Sequence, residues 1–194
     1  MLSDNWLVWN VHGLKSRARR NVVCEIVSKG NISLLSLQET KLDDCPPNVV
    51  LETCGADFDF FFQPATNSYG GILLAWRRDA WSVTSPVIRS FSLSAKVTLL
   101  QSNETWWLTC VYGPQLDHEK MLFLDELREI RAACPGRWLV WGDFNLIYQA
   151  EDKNNHSAGS LTSWSFKSCT SEVAYTLGRM NVIDRRSCAS TVCL

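Results

Sequence analysis

Three apolar runs, WLVWNV (Trp6 to Val11), ISLLSLQET (Ile32 to Thr40) and RWLVWGDFN (Arg137 to Asn145), constrain this chain more than any other feature. Each is short, rich in β-branched or aromatic residues, and gives way abruptly to side chains that carry oxygen. They read as buried strands with Asn10, Glu39, Asp143 and Asn145 at their tips. Ligands of sheet proteins gather at strand ends, where a rigid core aims side chains and the loops leave room.

The stretches between these runs fill in the order of elements. Ser16 can cap a helix in which Ala18, Val22 and Ile26 recur at a spacing of four, with Gly30 as the stop. DFDFFFQ, GGILLAW, WSVTSPVI, AKVTLL and TWWLTCVY read as further strands, separated by turn formers such as Asn67, Gly70, Pro86 and Asn103. From Asp117 to Ala133, Met121, Leu124, Leu127 and Ile130 share one helical face, and Cys-Pro-Gly ends the helix. Strand and helix, then several strands, then strand, helix and strand predict sheets with helices packed outside them, an α/β sandwich.

The 194 residues are the size of one domain. A net charge of −1 with interspersed signs leaves no polybasic tail, so contact with a polyanion must be local or helped by a metal ion. Eight cysteines without CxxC spacing in a chain of this length read as reduced thiols. The N-terminal MLSDNWLVWN lacks a basic region followed by a long apolar stretch, and no 18-residue apolar run exists. The expectation is a protein that is neither secreted nor membrane-spanning.

Carboxylates and amide carbonyls at the strand tips suit Mg²⁺, Mn²⁺ or Ca²⁺, whereas zinc would want His or Cys there. A hard divalent ion beside few carboxylates serves phosphoryl chemistry, because it stabilises charge on the leaving oxygen. Taken singly, each residue has a plainer role. Asn10 suits a turn, Asp143 an Asx-turn, and Glu39 a solvated strand end.

WNVHGL, LLSLQETKL, GGILLAW, VYGP and GDFN occur in the order of the endonuclease/exonuclease/phosphatase superfamily, the DNase I-like metal-dependent phosphodiesterases, which the chain therefore resembles. The longer wording, with ACPGRWLVWGDFNLI and EDKNN, is similar to the endonuclease domain of plant LINE-type, non-LTR retrotransposons, which lies upstream of their reverse transcriptase. The likeness runs from Trp6 to Asn155. It implies a DNase I-like two-sheet β-sandwich flanked by helices, Mg²⁺ or Mn²⁺ as cofactor, and DNA as substrate. It also implies a reverse transcriptase domain as partner in the parent element, and a nuclear location through that substrate. By the same resemblance Glu39 is a metal ligand, and Asn10 helps organise metal and phosphate. Tyr112, otherwise a strand aromatic, contacts phosphate. Asp143 orients or deprotonates the attacking water, Asn145 donates to the phosphate in the transition state, and Lys41 touches the DNA backbone. Relatives usually carry Arg where this chain has His12, a difference that bears on a substrate contact and not on the metal site.

The family also carries a late Ser-Asp-His motif. None of the three histidines, His12, His118 and His156, follows Ser-Asp. The fold is therefore expected to be incomplete at its C-terminus, with a partial domain over 1–155 and an atypical Ser/Thr/Cys-rich segment over 156–194. Read one base out of frame from His156, the genetic code permits a string resembling what the family carries after EDKNN. A shift of frame accounts for the segment, and a disordered tail is the alternative. A catalytically inactive relic with weak DNA or metal binding stands beside the nuclease reading, as does another phosphodiesterase or phosphatase of the superfamily.

Overall fold

A computed structural model describes residues 5–66 and 70–145, together with the backbone of two short strands at 180–182 and 192–193. Asn67, EDKNN, His156, the domain boundary read at Asn155 and the proposed frame change lie outside the described residues.

Two mixed sheets stack face to face. The first has the order β3 (Phe58–Gln63), β4 (Ile72–Arg77), β2 (Ile32–Gln38), β1 (Asn5–Asn10) and β9 (Met180–Val182). The second has the order β10 (Val192–Cys193), β8 (Trp138–Asp143), β7 (Glu104–Tyr112), β6 (Ser92–Leu99) and β5 (Trp81–Ile88). In each sheet one parallel pair is joined through a helix, and in the first sheet β9 also runs parallel to β1. α1 (Arg17–Lys29) links β1 to β2, and α3 (Lys120–Ala133) links β7 to β8. A parallel pair needs such a crossover, whereas β5, β6 and β7 run antiparallel through tight turns.

Alternation along the strands sorts the core into three layers. Trp6 and Val8 of β1, Leu108 and Cys110 of β7, and Leu139 and Trp141 of β8 face the space between the sheets. Leu7, Leu35 and Leu37 face the opposite way, onto α1 and the short helix α2 (Pro47–Cys54). Val111, Trp138 and Val140 face Phe123, Leu127 and Ile130 of α3. The result is helix, sheet, sheet, helix, centred on Trp6, whose ring lies 5.7–5.9 Å from those of Trp81, Trp106 and Trp141.

The structure corrects four local readings. Ser16 does cap α1, accepting from the Arg19 N–H, but the buried stripe is Val23 and Val27 while Val22 is half exposed. On α3 the buried face takes Phe123, and Met121 points outward. α2 went unread, because eight residues opened by two prolines carry too little helical period to see. Pro86 lies inside β5, at a bulge where Ser85 takes a left-handed φ of 54°. That position is open to proline because β5 is an edge strand. Among the described residues Cys24, Cys45, Cys54, Cys110 and Cys134 are free thiols, and burial pushes Cys110 up to about 12. No described helix is long and apolar enough to cross a membrane.

Candidate active site

The inward parity of the strands continues to their ends and builds the site. Residues 6, 8 and 10 of β1 share one side, as do 139, 141 and 143 of β8 and 108, 110 and 112 of β7. Asn10, Asp143 and Tyr112 therefore cap the core between the sheets, and the parallel register sets Tyr112 directly beside Asp143. Gly142 is required here. Its φ is 131°, and a Cβ would drive into the Val111 carbonyl of β7. Gly113 is in the same position, because a Cβ there would meet the carbonyl oxygen of Phe144. The Gly-Asp-Phe-Asn spelling thus reflects close strand approach as well as chemistry.

Asp143 is buried at 3% exposure and is held from both sheets. Asn10 Nδ2 donates to its Oδ2 at 2.9 Å, and the Asn145 N–H donates to Oδ1 at 3.1 Å. Asn145 Nδ2 donates in turn to the Gly113 carbonyl at 2.7 Å, and the Gly113 N–H to the Asp143 carbonyl at 2.7 Å. Tyr112 accepts from Gln115 Nε2 at 3.2 Å. Burial pushes its phenol up to about 12, with the charges of Glu39 and Asp143 adding to the effect.

Glu39 stands just past β2, its side chain 12% exposed. Lys41 Nζ lies 2.9 Å from Oε1, and His12 Nδ1 lies 2.8 Å from Oε2. Burial pushes the Glu39 carboxyl up, but the hydrogen bonds from Lys41 and His12 outweigh it and hold it below the usual carboxylate range. His12, which the sequence connected with a substrate contact, lies against Glu39 in the fold. Its own N–H donates to Asn10 Oδ1 at 3.2 Å, so it bridges the Asn10 and Glu39 halves of the site.

The loops carrying these groups are strained. Among seven described non-glycine residues with positive φ, four are His12, Glu39, Lys41 and Asn145. Such conformations persist only where surroundings over-determine them, as at sites built for function. Arg19 Nη1 donates to the carbonyls of Val11 and His12, while the Thr40 and Lys41 N–H groups donate to Gly71 and Gly70. Thr40 Oγ1 is buried without a hydrogen-bond partner.

All six residues singled out from sequence, Asn10, Glu39, Lys41, Tyr112, Asp143 and Asn145, sit at the same end of the two sheets. His12, Gln115 and the Gly113 carbonyl join them. Sequence reasoning missed Gln115 and the Gly113 carbonyl, because each acts through a contact rather than through a recognisable chemistry, and it named His12 for a substrate contact without its bond to Glu39.

The family model for the endonuclease/exonuclease/phosphatase family matches residues 7–187. The chain belongs to that family. The endonuclease/exonuclease/phosphatase fold also recurs among solved structures. AP endonuclease LMAP from Leishmania major superposes with a TM-score of 0.60 at 18% identity, over 84% of this chain and 64% of that one. The human Nocturnin catalytic domain with bound sulfate anion gives 0.53 at 15%, over 73% and 64%. D. rerio TDP2 complexed with single strand DNA product gives 0.53 at 20%, over 73% and 60%. The chain thus spans a little under two thirds of the length of these family structures. No curated protein matches it in sequence.

Oxygen donors dominate the endonuclease/exonuclease/phosphatase site. Glu39, Asp143 and the Asn10 amide fit a hard divalent ion, and Mg²⁺ asks for one or two carboxylates with the remaining positions left to water and phosphate. That demand is compatible with the finding that no described cluster of three His, Cys, Asp or Glu side chains is arranged to hold an ion. Glu39 is the carboxylate already flanked by cation-type donors.

Proposed function

We propose that the chain is a metal-dependent phosphodiester hydrolase domain that nicks DNA, derived from the endonuclease domain of a plant LINE-type retroelement. The observation that carries the reading is the buried Asp143, fixed between Asn10 of one sheet and Asn145 of its own. A carboxylate held this firmly is preorganised to orient a water in line with a phosphodiester and to take its proton. Asn145 and Tyr112 flank it as donors toward the phosphate, where charge grows in the transition state. Glu39, with Asn10, would hold Mg²⁺ or Mn²⁺, which when bound polarises the phosphate and stabilises the leaving oxygen. Lys41 adds a positive charge for the DNA backbone. The motif wording supports the retroelement origin, with its reverse transcriptase partner and a nuclear location following from the substrate. The likeness to an AP endonuclease and to TDP2 complexed with a single strand DNA product supports a phosphodiester substrate.

A second reading is favoured by one observation, the absence of Ser-Asp-His. Without that pair the chain is a relic that binds DNA or metal weakly, the segment after Asn155 being the product of a frame shift. A different phosphodiesterase or phosphatase activity of the same family remains the alternative within enzymes. Nicking of supercoiled plasmid by the purified chain in Mg²⁺, with EDTA and Asp143→Ala as controls, decides between hydrolase and relic. Nicking that disappears in both controls supports the hydrolase. A folded, soluble chain that leaves the plasmid intact overturns the nicking activity and leaves the relic or another activity of the family.

A further inference from the structure

We propose that His12 Nδ1 and Glu39 Oε2 together grip the divalent ion, and that the imidazole shifts the site's preference from Mg²⁺ toward Mn²⁺ and Co²⁺. The inference rests on the reading of Glu39 as a metal ligand and names a second donor for the same ion. The two atoms lie 2.8 Å apart. Two ligands bonded at about 2.0–2.2 Å and at right angles stand about 3 Å from each other, so an ion can replace the hydrogen they share with little movement.

The aim of His12 is fixed by its backbone. The residue is held at a φ of 50°, its N–H bonded to Asn10 Oδ1 and its carbonyl accepting from Arg19 Nη1 at 2.8 Å. Gly13 follows at a φ of 110°, which turns the chain away and leaves the imidazole 58% exposed on the solvent side of Glu39. Lys41 stays on the other oxygen, Oε1, and need not move. An ion at Nδ1 takes the neutral imidazole with its hydrogen on Nε2, any proton displaced from Nδ1 passing to water. Mg²⁺ prefers oxygen donors and sheds water reluctantly, whereas imidazole suits later first-row ions, so one nitrogen in an oxygen site tilts selection.

The test uses Mn²⁺ bound to the whole chain, read by electron paramagnetic resonance, with Mg²⁺ as competitor and with His12→Gln and Glu39→Gln as variants. The expected result is nitrogen coupling to bound Mn²⁺ that vanishes in His12→Gln. Losing the imidazole should weaken Mn²⁺ by about tenfold or more, leaving Mg²⁺ affinity within about twofold. If Glu39→Gln abolishes binding while the wild type shows no nitrogen coupling, or His12→Gln binds Mn²⁺ as tightly as before, the role of His12 is overturned and that of Glu39 stands. If neither ion binds, or both bind Glu39→Gln unchanged, the reading of Glu39 as a ligand fails, and the inference fails with it. The nitrogen coupling is read on the wild-type chain, so the test does not depend on a variant folding.

Discussion

At the scale of single residues, Asn10 and Asp143 depend on each other. Asn10→Ala leaves a buried carboxylate short of one donor and is expected to cost about 1–3 kcal/mol, read as a lower urea midpoint. If Asn145 donates to the phosphate as proposed, Asn145→Ala should lower kcat by about 10²–10³ with little change in KM, measured on the plasmid substrate. Tyr112 gives the pH test. Burial raises its folded pKa to about 12, above the ordinary tyrosine value of 10.0, so the folded state keeps its proton longer than the unfolded chain. The stability it contributes is complete below pH 10 and is lost as pH rises toward 12. Tyr112→Phe should flatten that alkaline decline in urea titrations, and an unchanged slope would refute the assignment. The gathering of polar side chains at the strand tips was legible because Glu39, Asp143 and Asn145 interrupt apolar runs. The His12 contact was not, because it joins residues 27 apart through a tertiary turn.

At the scale of elements, α3 is locked to the turn between β5 and β6 by the buried Glu126. It accepts from the N–H groups of Ser90 and Phe91 and from the Ser92 hydroxyl, the last at 2.6 Å. Gln63 of the other sheet donates to the carbonyls of Arg89 and Ser90, and the Phe91 carbonyl receives the Tyr112 N–H. Glu126→Ala is expected to destabilise the fold by about 2–4 kcal/mol, since several buried donors lose a charged acceptor at once. Helix α1 offers a cleaner comparison. Val23→Asp, in the core, should be strongly destabilising, whereas Val22→Asp should stay within about 0.5 kcal/mol in thermal unfolding. Strands β1 to β8 and both long helices could be read from the sequence, but β9, β10 and the face of α1 could not. Ala18, Val22 and Ile26 fit a spacing of four as well as Val23 and Val27 do, and only the sheet beneath chooses between them.

At the scale of the whole molecule, the two sheets meet on Trp6, Trp81, Trp106 and Trp141, which belong to both halves. Trp141→Ala should cost about 3–5 kcal/mol and lower the unfolding of both sheets together, visible as one shifted urea transition by fluorescence and by circular dichroism. The sandwich was legible from the order of its elements, whereas the stacking that brings β1 over β8 was not, because no local pattern specifies which strands of two sheets face each other. The shared parity of Trp6, Val8 and Asn10, and of Leu139, Trp141 and Asp143, has a consequence for how such a chain can change. Inserting one residue within β8 would turn Trp141 and Asp143 outward together, exchanging their places with the α3-facing side chains. Mutational drift in these two strands is thus confined to substitution. A lineage can lose a catalytic side chain and keep its core, but it cannot slip a strand and keep either.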